Sequence, residues 1–245
     1  MNVIVLKDEN QVCKKAAEII GNVVKENPKA TLGLATGSSA EKVYEYLVED
    51  YNKGNLDFSK CTSVNLDEYV GLSPDHPQSY RKYMDDKFFN KVNINKNNTY
   101  IPVTVNNIEE ELEKIKSLIN EKGGTDVQLL GVGGNGHIAF NEPGEFLNAS
   151  ISVVDLDRKT IEANSRFFDS IDDVPKKAVS LGIGDILKSK KIVLVAFGDG
   201  KKEAIKNLLT NDFITTKVPC TLLKVHRDVT IIIDEDLAKK SGYEF

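Results

Sequence analysis

The sequence is short of cysteine, histidine and long apolar runs, and each shortage excludes a class of function. Its 245 residues hold three cysteines (Cys13, Cys61, Cys220) and three histidines. The cysteines are odd in number and widely spaced, so they fit neither a disulfide framework nor a metal-ligand pattern. They read as buried free thiols of a reducing, cytoplasmic compartment. With no HExxH or CxxC segment, an all-protein metal site is not expected. No run of about 18 apolar residues occurs, so no membrane span is expected. The N-terminus, MNVIVLKDENQ, lacks the basic start and longer apolar stretch of a signal peptide. Positive charge is also in the minority: 32 Lys and Arg against 37 Asp and Glu, a net charge of −5. That argues against a nucleic-acid partner, whose phosphates need a basic surface. A small anion stays open, because a few local cations suffice for one phosphate.

What is present is ordinary for a globular enzyme-sized chain. Hydrophobic residues make up 40% and charged residues 28%, too apolar for disorder. The length suits one large domain or two small ones. Apolar runs alternate with helix-period stretches. Strands are expected at Asn2–Leu6, Thr31–Ala35, Thr62–Leu66, Tyr100–Val103, Val127–Val132, Ser150–Asp155, Lys177–Leu181, Lys191–Phe197 and Val229–Ile233. Helices are expected at Glu9–Glu26, Ala40–Tyr51, Gln78–Phe89, Ile108–Glu121, Arg158–Asn164, Gly184–Lys188, Lys201–Thr210 and Glu235–Ser241. This rhythm predicts an α/β fold: a single-domain, Rossmann-like three-layer sandwich with a mostly parallel sheet. No Pro/Gly/Ser linker divides the chain, so residues 1–245 read as one domain. Ligands should sit beyond the carboxyl ends of the strands.

Four segments at such ends can carry chemistry. LGLATGSS, Leu32–Ser39, runs from a strand through Thr36, Gly37, Ser38 and Ser39 into a helix. It reads either as a phosphate site, using free N–H groups and hydroxyls, or as a plain serine cap. VNLDEYVGLSPDHPQSY, Val64–Tyr80, places Asp67 and Glu68 at the end of a buried-looking strand. A carboxylate there is either a desolvated base or part of a solvated loop; His76 reads as loop chemistry. LLGVGGNGHIAFNEPG, Leu129–Gly144, matches GxGxxG formally. A dinucleotide fingerprint should open a helix in the first strand–helix–strand unit, and this one does not. Its glycines instead allow close backbone approach to a substrate, with His137 exchanging protons and Glu142 orienting it. Finally, Arg166 in ANSRFFD and Lys201 in FGDGKK read as phosphate cations or as solvated surface charges.

Taken in order, LGLATGSS, NLDEYVGL with HPQSY, GNGHIAFNEPG, ANSRFF and the GDGK turn resemble the glucosamine-6-phosphate isomerase/deaminase family. The likeness covers essentially the whole chain. It implies isomerisation and deamination of glucosamine 6-phosphate to fructose 6-phosphate and ammonia, with no metal or organic cofactor. Asp67 would shuttle a proton between C2 and C1, His137 would open the sugar ring, and Glu142 would tune His137. Ser38 and Ser39, with Arg166 and Lys201, would hold the 6-phosphate. A mobile lid would span about 156–175. The sequence departs from the family pattern in three places. Many members have Asp where this chain has Asn135, which predicts a less basic His137. The stretch EFLNASISVV after NEPG has no Lys or Arg before Arg158, unlike members activated by N-acetylglucosamine 6-phosphate. The chain also ends soon after its last helix, at YEF. The expectation is no such activation, and a monomer or small homo-oligomer.

Overall fold

A computed structural model describes all 245 backbone positions and every side chain except those of Lys159 and Ala163. Strands β1 (Asn2–Leu6), β2 (Thr31–Leu34), β3 (Thr62–Asn65), β4 (Asp67–Tyr69), β5 (Thr99–Tyr100), β6 (Val127–Leu130), β7 (Ser152–Asp155), β8 (Lys177–Ser180), β9 (Ile192–Ala196) and β10 (Val229–Asp234) alternate with helices. The helices are α1 (Glu9–Glu26), α2 (Ser38–Asn52), α3 (Tyr80–Lys87), α4 (Ile108–Lys122), α5 (Arg158–Asn164), α6 (Ile183–Leu187), α7 (Lys202–Leu209) and α8 (Glu235–Ser241).

Seven strands form one sheet in the order β1-β10-β9-β6-β2-β3-β5, and every pairing in it is parallel. The central strands VQLL and IVLVA are buried along their whole length, as a parallel sheet covered on both faces requires. The flanking helices follow from capping and periodicity. Asp8 accepts the Gln11 N–H to start α1, whose Val12, Ala16, Ile20 and Val24 are buried at four-residue spacing. Asp234 does the same for α8, which Gly242 ends in a left-handed turn.

The sheet reverses direction in sequence between β2 and β6. From β2 the chain proceeds to β3 and β5, then returns to β6 and moves outward to β9 and β10. This is the topological switch point at which open α/β sheets bind ligands.

Two expectations need correction. Ser150–Asp155 and Lys177–Leu181 do not extend the parallel sheet. As β7 and β8 they join β4 in a separate antiparallel sheet, ordered β4-β8-β7. The alternating burial of SVVD shows why: one face of β7 meets solvent, which an antiparallel sheet tolerates. The strand expected at Tyr100–Val103 is only Thr99–Tyr100, because Pro102 has no N–H for a ladder. The sequence reading also missed the 3₁₀ segment Pro219–Val225.

Candidate active site

Four consecutive strands, β9, β6, β2 and β3, deliver the Lys201 turn and the other three segments at their carboxyl ends, while Arg166 follows α5. With neighbouring strands about 4.8 Å apart, the row spans roughly 14 Å, the scale of a sugar phosphate.

At the end of β3 the chain turns through Leu66 into β4, and Asp67 and Glu68 are both buried. Their environments differ. Glu68 Oε1 accepts the N–H groups of Tyr69 at 2.9 Å and Tyr80 at 3.0 Å, and Oε2 accepts that of Arg81 at 3.0 Å. It caps the start of α3, so its role is structural; burial still pushes its carboxyl up against those three donors. The Asp67 carboxylate has no hydrogen-bond partner among the described residues. Burial lifts it to about 8, with the neighbouring Glu68 adding to the rise. A carboxyl so placed holds its proton near neutral pH and is a far stronger base than an exposed aspartate. Successive strand residues face opposite ways, and a cavity of about 390 Å³ lined by Glu68, Leu72, Arg81 and Val103 lies on the Glu68 side.

After β6, the glycine-rich turn brings His137, Asn135 and Glu142 together. His137 Nδ1 lies 3.1 Å from Glu142 Oε2, and the Asn135 amide donates to the same oxygen at 2.8 Å. Asn135 Oδ1 accepts the backbone N–H of His137 at 3.1 Å. Asn135 therefore acts on Glu142 and on the His137 backbone, not on the imidazole ring. Burial alone would raise Glu142, yet hydrogen bonds from His137, Thr160 and Asn135 hold it below the usual carboxylate range. An ionised Glu142 only accepts, so the neutral imidazole carries its proton on Nδ1 and leaves Nε2 as the acceptor. The ring lies against Gly133, where an added Cβ would come within 2.3 Å of it. Only glycine fits there. The turn continues through Ala139 in the left-handed region, at φ 52°, a strain of about 1–2 kcal/mol. Asn141 holds it, donating to the carbonyls of Ile138 and Leu181.

The short strand β8 ties these two halves. Asp67 pairs with Ser180 across β4 and β8, and Ser180 Oγ accepts the Phe140 N–H at 3.1 Å.

The remaining segments supply a helix start and two cations. The helix α2 starts at Gly37, at φ 105°, with no side chain capping it. The reading of a serine cap fails here, and the hydroxyls of Thr36, Ser38 and Ser39 have no protein partner among the described residues. The first-turn N–H groups are left for an anion. Lys201 ends the turn after β9; burial lowers it first, and Arg166 nearby lowers it further. Neither cation has a carboxylate partner among the described residues, although acids outnumber bases in the chain. The Arg166 guanidinium rests over the Phe167 ring, 4.7 Å from its centroid.

Sequence reasoning missed Thr160, Asn164 and Tyr69. Thr160 Oγ1 donates to Glu142 Oε1 at 2.6 Å, and Asn164 Nδ2 donates to the Tyr69 hydroxyl at 2.9 Å. Nothing local marks these residues; only the fold brings α5 onto the site. The other two histidines are structural. His76 Nδ1 accepts the Gln78 N–H, and His226 bridges the Ser189 carbonyl and the Asp228 N–H. Among the described residues no cluster of His, Cys, Asp and Glu is suited to a metal ion, and no helix is long and apolar enough to cross a membrane.

Comparisons with known proteins bear on this geometry. The family model for glucosamine-6-phosphate isomerases/6-phosphogluconolactonase matches residues 8–232. A glucosamine-6-phosphate deaminase of Clostridium perfringens is 52% identical over 240 residues, covering 98% of this chain and 99% of its own. One from Thermoanaerobacter sp. is 51% identical over 239 residues, covering 97% and 94%. The solved structure of a monomeric glucosamine-6-phosphate deaminase superposes with a TM-score of 0.94 at 42% identity, covering 98% of this chain and all of that one. A 6-phosphogluconolactonase of Thermotoga maritima, 20% identical with a TM-score of 0.74, shares the fold. This chain belongs to the glucosamine-6-phosphate isomerase/6-phosphogluconolactonase family.

Proposed function

We propose that the protein is a glucosamine-6-phosphate deaminase, converting glucosamine 6-phosphate and water to fructose 6-phosphate and ammonia. The observation that carries the site assignment is the buried Asp67 carboxyl, without a hydrogen-bond partner among the described residues and lifted to about 8, just past the end of β3, which pairs with the strand leading into α2.

The chemistry divides among the residues as follows. The substrate enters mainly as a ring. His137 Nε2 exchanges protons with the ring oxygen and O1, which opens the sugar to its aldehyde. Asp67 acts in its ionised form, the minor one at neutral pH but the more basic for its burial: it removes the C2 proton, giving an enolamine whose developing oxygen charge meets N–H groups of the glycine-rich turn. Asp67 returns that proton to C1. The enolamine becomes a C2 imine, water adds to it, and ammonia leaves. One carboxyl serves both carbons because the proton moves between neighbours. Lys201, Arg166 and the start of α2 hold the phosphate, which fixes C1 and C2 at Asp67.

The segment 156–175 acts as a cover over the site, with Leu156 and Val174 buried at its ends. The protein works as a monomer or small homo-oligomer, and its rate responds hyperbolically to substrate with or without N-acetylglucosamine 6-phosphate. A coupled assay for fructose 6-phosphate and ammonia, run without added metal on gel-filtration fractions, tests the reading. Ammonia release coincident with a low-mass peak is expected. Absence of ammonia, with hydrolysis of a sugar-phosphate lactone instead, would overturn it.

A further inference from the structure

The inward face of α5 touches both halves of the candidate site. Thr160 and Asn164 are four residues apart and so share one helical face. Thr160 donates to Glu142 Oε1 at 2.6 Å, while Glu142 Oε2 is occupied by His137 and Asn135. Asn164 donates to the Tyr69 hydroxyl, two residues along β4 from Asp67. Tyr69 is pinned further by the rings of Phe168 and Phe140, each with a centroid 5.9 Å away. Arg166 follows α5 directly, in the 3₁₀ turn Ser165–Phe167. One short segment thus carries a phosphate cation, a bond to the acid–base carboxylate and a bond beside the proposed base.

We infer that Thr160 is a positioning residue: its hydroxyl, carried on α5, orients Glu142 and hence His137. This deepens the deaminase reading and rests on it. Thr160 is buried, with 7% of its surface exposed, and its hydroxyl hydrogen goes to Glu142. A carboxylate with one oxygen fixed by the α5 side and the other by the β6 turn cannot rotate away from the imidazole. With Thr160 withdrawn, Oε1 loses its donor and the carboxylate is free to turn about its last torsion. His137 is the titratable group bonded to Glu142; Asn135 and Thr160 are neutral.

The test compares wild type, Thr160→Val and Thr160→Ser. Valine keeps the shape and removes the hydroxyl; serine keeps the hydroxyl. Expected for Thr160→Val is a kcat about ten- to a hundredfold lower, the worth of one hydrogen bond to a charged group, with KM changed less than threefold and with recovery in Thr160→Ser. An activity-independent readout is the NMR titration of the Glu142 side-chain carboxyl carbon. It should move to higher pH in Thr160→Val and return in Thr160→Ser. Wild-type kcat in Thr160→Val together with an unmoved Glu142 titration overturns the proposal. Wild type without ammonia release overturns the deaminase reading instead, and the Glu142 titration still decides the role of Thr160.

Discussion

Asn135 shows what a single amide does in the crowded candidate site. Its Nδ2 donates to Glu142 and its Oδ1 receives the His137 backbone N–H, so one side chain holds both members of the pair. Asn135→Asp exchanges that donor for a carboxylate beside Glu142. Two carboxylates at hydrogen-bond distance do not both ionise easily. The acid limb of the kcat/KM–pH profile should therefore move to higher pH in Asn135→Asp; an unmoved limb would remove Asn135 from the network. The sequence made Asn135, His137 and Glu142 legible as a group because they fall within eight residues. It hid the direction of the bonds, and it hid Thr160, which lies 18 residues beyond Glu142 and meets it only through the placement of α5. Glu68 was equally opaque: beside Asp67 it looks like a second acid, and only its three backbone donors reveal a helix cap.

At the scale of elements, the proposed phosphate site draws on a helix start, a strand-to-helix turn and a 3₁₀ turn. Each cation read alone as a solvated charge. Together they are two positive groups with no carboxylate partner among the described residues, and Lys201 is partly buried beside Arg166. Removing either by Lys201→Ala or Arg166→Ala should raise KM for the phosphorylated sugar about ten- to a hundredfold. Turnover of unphosphorylated glucosamine should change little. Equal losses on both sugars would place these residues outside phosphate binding. The parallel strands were legible because strands such as IVLVA are continuously apolar, and the helices because their caps and four-residue spacing are plain. The sheet order was not. Adjacency of the segments after β9, β6, β2 and β3 depends on crossovers that no local pattern encodes. For the same reason nothing local separates β7 and β8 from the parallel sheet.

For the molecule as a whole, the buried Asp67 is a cost borne by the fold. Its carboxyl is raised from an ordinary 3.8 to about 8 in the native state. The native state therefore holds this proton more tightly than the unfolded chain does. The resulting stability is complete below pH 3.8, declines as pH rises from there to about 8, and is gone above it. Asp67→Asn removes the titration. Its melting temperature relative to wild type should rise steadily between pH 4 and 8 and level off beyond, while deamination is lost. A difference that does not vary with pH would show that Asp67 is not held protonated by burial.

The pairing of β1 with β10 carries a consequence for how the chain comes into being. Asn2 lies opposite Thr230 and Leu6 opposite Asp234, so β1 is seated against β10, the strand of this sheet farthest from it in sequence. Synthesis runs from the N-terminus, and β1 has no ladder partner until β10 has been made. Until then its backbone N–H and C=O groups form an unpaired edge, open to pairing with any other extended chain. The contacts that assemble this sheet are distant in sequence, which makes its closure a late and slow event in folding. The row of loops that forms the candidate site needs β9 beside β6 and β6 beside β2, so the site takes shape only after strands far apart in sequence have met.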